Sequence, residues 1–198
     1  MSYFILYKYF MISPFQKTIL KETSFTGVGL HSGLKTEVKV VPAAENYGIV
    51  FKRVDLNKDN IIKANFENVS SAKLCTTLQN ESNVTVSTVE HLLAALYITG
   101  IDNALIEISN REVPIMDGSS KEFVETINRV GVKKQNAKRK YLKITKNFTL
   151  QEGEKLISIE PDKQSLKVDF QLVYSNEVIG RQSNQINFSD TDLTNVYT

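Results

Sequence analysis

Tryptophan is missing from this chain of 198 residues, Cys75 is its only cysteine, and His31 and His91 are its only histidines. A lone cysteine excludes an internal disulfide and makes a reducing cytosol the simplest compartment. Scarce histidine restricts metal chemistry, because a catalytic zinc usually takes about three protein ligands and a structural one about four. Neither histidine has a ligand partner one helical turn on: Lys35 follows His31 at that distance and Ala95 follows His91. Spacing alone therefore supports no more than a one-histidine fragment of a metal site. Charge of one sign is also lacking, and a net charge of +2 is too small to imply a nucleic-acid partner. Long apolar runs are absent as well. The opening "FILYKYFMI" is too short to span a bilayer and is interrupted by Lys8. With no basic n-region and no small-residue cleavage site, it does not read as a secretory signal. We expect residues 1–12 to be an N-terminal extension, with Met11 as the natural start; an ordered first strand is the alternative.

What is present is ordinary globular composition, 41% hydrophobic, enough for one large domain or two small ones. The first half alternates as strands do. "LKTEVKVVP" puts Val38 and Val40 on one face, and "GIVFKRV" and "IIKANF" follow between turn-rich segments. "STVEHLLAALYITG" predicts a largely buried helix over 87–99, with Ser87 and Thr88 as good N-caps. "NALIEIS" predicts a buried strand. "MDGSSKEFVETINRVG" predicts a second helix, opened by a Ser119–Glu122 capping box, striped by Phe123, Val124, Ile127 and Val130, and ended by Gly131. The basic stretch 133–140, "KKQNAKRK", predicts a solvated linker, since no aromatic residues are interleaved to stack on bases. From 141 to 188 nearly everything reads as strand, and a helix begins near Ser189. "LKETSFT" in the first half is faintly echoed by "LKITKNFT" in the second. The expected organisation is α+β: a first domain over 13–132, a linker over 133–140, and an incomplete second domain over 141–198.

Two stretches draw attention chemically. Glu90 and His91 stand side by side at the head of the apolar helix. Glu90 lies three residues after Ser87, so a capping-box glutamate is one reading. The other is a carboxylate beside a metal-ligating imidazole, placed to take a proton from metal-bound water. The second stretch is "GVGLHSG". Its glycines miss the dinucleotide-binding spacing, because Ser32 stands where the last glycine should be, and no βαβ unit follows. A glycine-rich turn with His31 incidental is the plainer reading. Cys75 in "KLCTTL" suits packing better than a nucleophile's role with His91 as base. Asp117 is explained by its turn.

In combination these stretches are more specific. "TGVGLHSG", "FKRVDL", "LCTTL", "STVEHLLAAL", "GIDNALIEI" and "EVPIMDGSS" occur in this order over about residues 18–125. That series resembles the zinc-dependent deacetylases that act on UDP-3-O-acyl-N-acetylglucosamine, at the committed step of lipid A (lipopolysaccharide) biosynthesis in Gram-negative bacteria. The resemblance implies two similar α+β domains, each a sheet with helices on one side, and an active site in the cleft between them. It implies that His91 ligates Zn2+, that Glu90 is the general base, and that His31, Leu74 and Cys75 lie on the substrate side. It further implies a cytoplasmic enzyme, here expected to be monomeric, touching the membrane at most peripherally through its acylated substrate. The family's later His-Lys-x-x-Asp ligand motif, its proton-donating histidine and its acyl-passage insert have no counterpart in this sequence. The chain as given is therefore expected to be truncated and inactive; the alternative is a noncatalytic sugar-nucleotide or protein-binding relative that retains the first domain.

Overall fold

A computed structural model describes residues 13–163 and 166–188. The expected extension over 1–12 and the expected helix near Ser189 lie outside the described residues. The described residues divide into two compact units, 13–139 and 140–188.

The first unit is built on a five-stranded sheet in the order β2-β3-β9-β4-β5. Its strands are β2 (Thr23–Val28), β3 (Lys35–Pro42), β4 (Ile49–Arg53), β5 (Ile61–Lys63) and β9 (Ala104–Ile108). Neighbours are antiparallel except β4 and β9, which run parallel. Register explains the burial. Val38 stands opposite Phe25 on one side and Ile108 on the other, while Phe51 stands opposite Ile106 and Ile62. All six side chains are buried, so the period-two alternation delivers one continuous apolar face.

Two helices cover that face: α1 (Glu90–Ile98) and α2 (Lys121–Val130). Leu92, Ala95 and Leu96 of α1 are buried, as are Phe123, Val124 and Ile127 of α2. The Phe123 ring meets Phe25 of β2 edge-on, with centroids 4.9 Å apart. Helix α1 is less enclosed than its composition suggests, since Ala94 and Tyr97 face outward. A small three-stranded sheet, β6 (Val69–Ser71), β7 (Thr77–Gln79) and β8 (Thr85–Val86), leads into α1.

The capping expectations need correction. Neither Ser87 nor Thr88 caps α1, whose N-cap position is Val89 with no side-chain cap bond. The segment before α1 is held instead by residues 111–113: the Ser87 N–H donates to the Arg111 carbonyl and the Val113 N–H to the Ser87 carbonyl. Helix α2 likewise lacks a closed capping box. The Ser119 hydroxyl accepts from the Lys121 N–H at 3.1 Å, but Glu122 is exposed and does not return the bond. Gly131 does end α2, at a φ of 88° that favours glycine.

The basic stretch is not a free linker. Residues Val132–Lys138 form a strand, β10, paired antiparallel with β1 (Phe15–Ile19). Contacts from three residues explain why so polar a segment is ordered. Gln135 accepts from the buried Asn103 amide at 2.7 Å and donates to the Ala43 carbonyl. Arg139 makes a two-pronged ion pair with Asp102 at 2.6 and 2.7 Å. Lys134 lies over the Phe15 ring, 4.0 Å from its centroid. Lysines and glutamine hid a strand whose inward positions are satisfied by hydrogen bonds rather than by apolar burial.

The second unit shows two antiparallel hairpins among its described residues. One joins β11 (Phe148–Glu152) to β12 (Lys155–Ile159), the other β13 (Lys167–Val173) to β14 (Arg181–Asn187). The two copies of the faint sequence echo are placed differently: the first lies mostly on β2, while the second reaches β11 only with Phe148 and Thr149. Leu150, Ile157, Val168 and Phe170 are exposed.

Candidate active site

The candidate site gathers around the start of α1. Chain direction changes sharply there, because Thr88 adopts a left-handed backbone with φ 55°. That conformation is strained for a β-branched residue and has to be held by its surroundings. Two residues on, the Glu90 side chain does not fold back over its own helix. Its Oε2 accepts from the Thr76 N–H at 3.0 Å, tying the segment Leu74–Thr76 to α1. Its Oε1 accepts no hydrogen bond among the described residues, so one carboxylate oxygen is anchored and the other has no protein partner.

His91 is half-buried, and its backbone carbonyl accepts from the Ser120 hydroxyl at 2.9 Å, which fixes the first turn of α1 against the start of α2. Cys75 is half-buried too, and its Sγ lies 3.8 Å from the Thr77 hydroxyl, its one bonded neighbour. That contact gives no support to a cysteine–histidine pair. Leu74, at φ 67°, points its side chain outward and is 85% exposed.

"GVGLHSG" forms a turn, as the plainer reading of it expected. The Gly29 N–H donates to the Leu34 carbonyl and the Gly33 N–H to the Gly29 carbonyl, at 3.0 and 2.9 Å. The turn closes around the carboxylate of Glu112, a residue only 1% exposed. Oε1 accepts from the His31 N–H at 2.9 Å and Oε2 from the Ser32 N–H at 2.7 Å. Oε1 also accepts from the Thr88 hydroxyl at 2.9 Å. Burial pushes the Glu112 carboxyl up, but the Ser32 hydroxyl, the His31 and Ser32 amides and the Thr88 hydroxyl outweigh it and lower it to about 2. Gly29 is required by close approach, since a Cβ there would collide with Glu112 Oε2 and the Ser32 hydroxyl.

The structure thus brings together most of what the sequence singled out. Leu74–Thr76 reaches Glu90 directly, and the His31 turn reaches Thr88 through Glu112. His31 itself is exposed. Asp117 stays apart in a turn role, accepting from the Ser119 N–H and hydroxyl, bonds that hold its carboxyl below the usual carboxylate range. The reading of the sequence missed Glu112, although "EVPIMDGSS" contains it; an acid abutting the apolar run Val113–Ile115 was the available signal.

Among the described residues no group of three or more His, Cys, Asp or Glu side chains is placed to hold a metal ion. His91 with Glu90 beside it supplies at most one imidazole and one carboxylate, which does not complete a zinc site.

With this geometry in view, comparison with known proteins is decisive. The family profile described as UDP-3-O-acyl N-acetylglycosamine deacetylase matches residues 16–196. The chain belongs to that family. Among the deacetylase family's members, the UDP-3-O-acyl-N-acetylglucosamine deacetylase of Shewanella frigidimarina (strain NCIMB 400) is 44% identical over 167 residues, 84% of this chain and 54% of the relative. That of Shewanella violacea is 43% identical over the same shares. That of Shewanella sp. (strain MR-4) is 41% identical over 172 residues, 87% of this chain and 56% of the relative. The chain therefore spans about half the length of the curated relatives it matches. Among the described residues, no helix is long and apolar enough to cross a membrane.

Proposed function

We propose that this chain provides the base-bearing part of a zinc-dependent deacetylase that removes the N-acetyl group from UDP-3-O-acyl-N-acetylglucosamine. The observation that carries the reading is the state of Glu90: one oxygen fixed by the Thr76 amide, the other without a protein partner, in the first turn of α1 next to His91. A carboxylate used up as a cap would be a poor base, and this one is not a cap.

In the proposed reaction a water attacks the acetyl carbonyl, and Glu90 takes its proton as the new C–O bond forms. The C–N bond then breaks, acetate leaves, and the proton passes to the departing amine of the glucosamine. Bound zinc would polarise the carbonyl and the water. His91 is the residue of this chain that would contribute a ligand; because the described donors do not complete the set, no step here is routed through the metal. Leu74, Cys75 and His31 border the substrate in this proposal. Their support is position, the first two on the segment latched to Glu90 and His31 on the turn held against Thr88. The cytoplasm suits such a reaction, with the membrane met only through the acyl group of the substrate.

The test joins this chain to the C-terminal remainder of the Shewanella frigidimarina relative and measures acetate release and zinc content. Glu90→Gln should lower turnover by about 10²- to 10⁴-fold while zinc is retained, the range typical of a lost general base. His91→Ala should lose the zinc. Near-normal turnover in Glu90→Gln would reduce the glutamate to a latch for Thr76.

A further inference from the structure

Glu112 is buried, charged and held by no cation among the described residues: its partners are two backbone amides and two hydroxyls. A buried carboxylate is costly to desolvate, and an apolar side chain would fill the same space without that cost. What the carboxylate does that an apolar group would not is join two segments distant in sequence. One is the turn Gly29–Gly33, gripped through the His31 and Ser32 amides. The other is Thr88, gripped through its hydroxyl, in the strained left-handed conformation that aims the chain into Glu90 and His91. The missing room for a Cβ at Gly29 shows how closely the turn is drawn onto the carboxylate.

We propose that Glu112 is a positioning residue for the deacetylation read above, on which this inference rests: it locks the His31 turn and the first turn of α1 into one frame. It touches no substrate. It acts by holding Thr88, and through Thr88 the direction in which Glu90 and His91 leave the backbone. A site of this kind needs its reacting groups held to fractions of an ångström, and supporting hydrogen bonds supply that.

The experiment uses the chain itself, whose two histidines give two imidazole resonance sets by NMR. In Glu112→Gln, the amide that replaces one oxygen can no longer accept from every partner. The His31 and Ser32 amides should lose hydrogen-exchange protection by about tenfold or more, as expected when a hydrogen bond to a charged group is lost. The imidazole resonances of both His31 and His91 should move, while the amides of Val40 and Ile106 keep their protection. Thr88→Val removes one grip and keeps the side-chain shape. It should move the His91 resonances and speed exchange at the Thr76 amide, and leave the His31 amide within about twofold of wild type. Unchanged protection and unmoved imidazoles in Glu112→Gln would overturn the proposal. Should Glu112→Gln fail to fold, Thr88→Val decides, and an unmoved His91 would overturn it. In the joined protein, Glu112→Gln should lower kcat by about tenfold or more with KM nearly unchanged, the pattern of a group that matters only in the transition state. A KM change alone would contradict that role. If the unsubstituted joined protein released no acetate, the deacetylase reading would fail, and the exchange and imidazole results would still judge the clamp.

Discussion

Glu112 carries more consequences than any other single residue in the first unit. Its carboxyl is lowered from the ordinary 4.5 to about 2, so its contribution to stability is complete above about pH 4.5 and disappears as the pH falls toward 2. A shift of that size corresponds to stabilisation on the order of 3 kcal/mol. Urea unfolding at stepped pH should show wild type losing that stability across this window and Glu112→Gln losing much less of it. Equal slopes would mean that the carboxylate is not held as described. Gly29→Ala probes the same seat from the opposite side. Its new methyl would press on Glu112 Oε2 and the Ser32 hydroxyl, and overpacking of this kind costs about 1–3 kcal/mol. A fully wild-type midpoint for Gly29→Ala would show that the turn has more room than the structure gives it. At this scale the sequence was partly readable. Glu90 and His91 stood out because charge is conspicuous at the head of an apolar helix. Glu112 did not, because its partners are backbone amides and hydroxyls that carry no recognisable spacing.

Elements rich in apolar residues were legible: β3, β4 and β9 lie on the segments read as strands, and Phe123, Val124 and Ile127 form the stripe of α2. Elements held by polar contacts were not. Strand β10 looked like linker because Lys133, Lys134 and Lys138 dominate it, while its anchors, Gln135 and Arg139, bond to partners far away in sequence. The caps of both helices were misread for a related reason. Ser87 and Thr88 have cap chemistry, but tertiary bonds to Arg111 and Glu112 claimed their hydroxyls first. The Arg139–Asp102 pair makes the point testable. Its side chains are only 13% and 23% exposed, and Asp102 also accepts from the Lys17 N–H. Arg139→Ala should cost about 2–3 kcal/mol, in the range for hydrogen bonds to charged groups, and should raise hydrogen exchange along β10 before the central sheet. Unaltered exchange in β10 would show that its pairing with β1 suffices without the anchor.

For the whole molecule, the central proposal is that Glu90 is the base and His91 one zinc ligand of a deacetylase site whose other donors lie outside the described residues. Family membership rests on a match over residues 16–196, and the donor shortage on the absence of any three-ligand group among the described residues. A lone imidazole binds zinc weakly, since useful affinity comes from several ligands on a fixed frame. The direct measurement takes the purified chain with added zinc and follows metal by equilibrium dialysis and acetate release from UDP-3-O-acyl-N-acetylglucosamine. Zinc binding should be weaker than about micromolar, far short of a multidentate site, with no acetate above the uncatalysed rate. Tight zinc binding abolished by His91→Ala, or acetate release abolished by Glu90→Gln, would contradict the proposal and place the missing ligands within this chain.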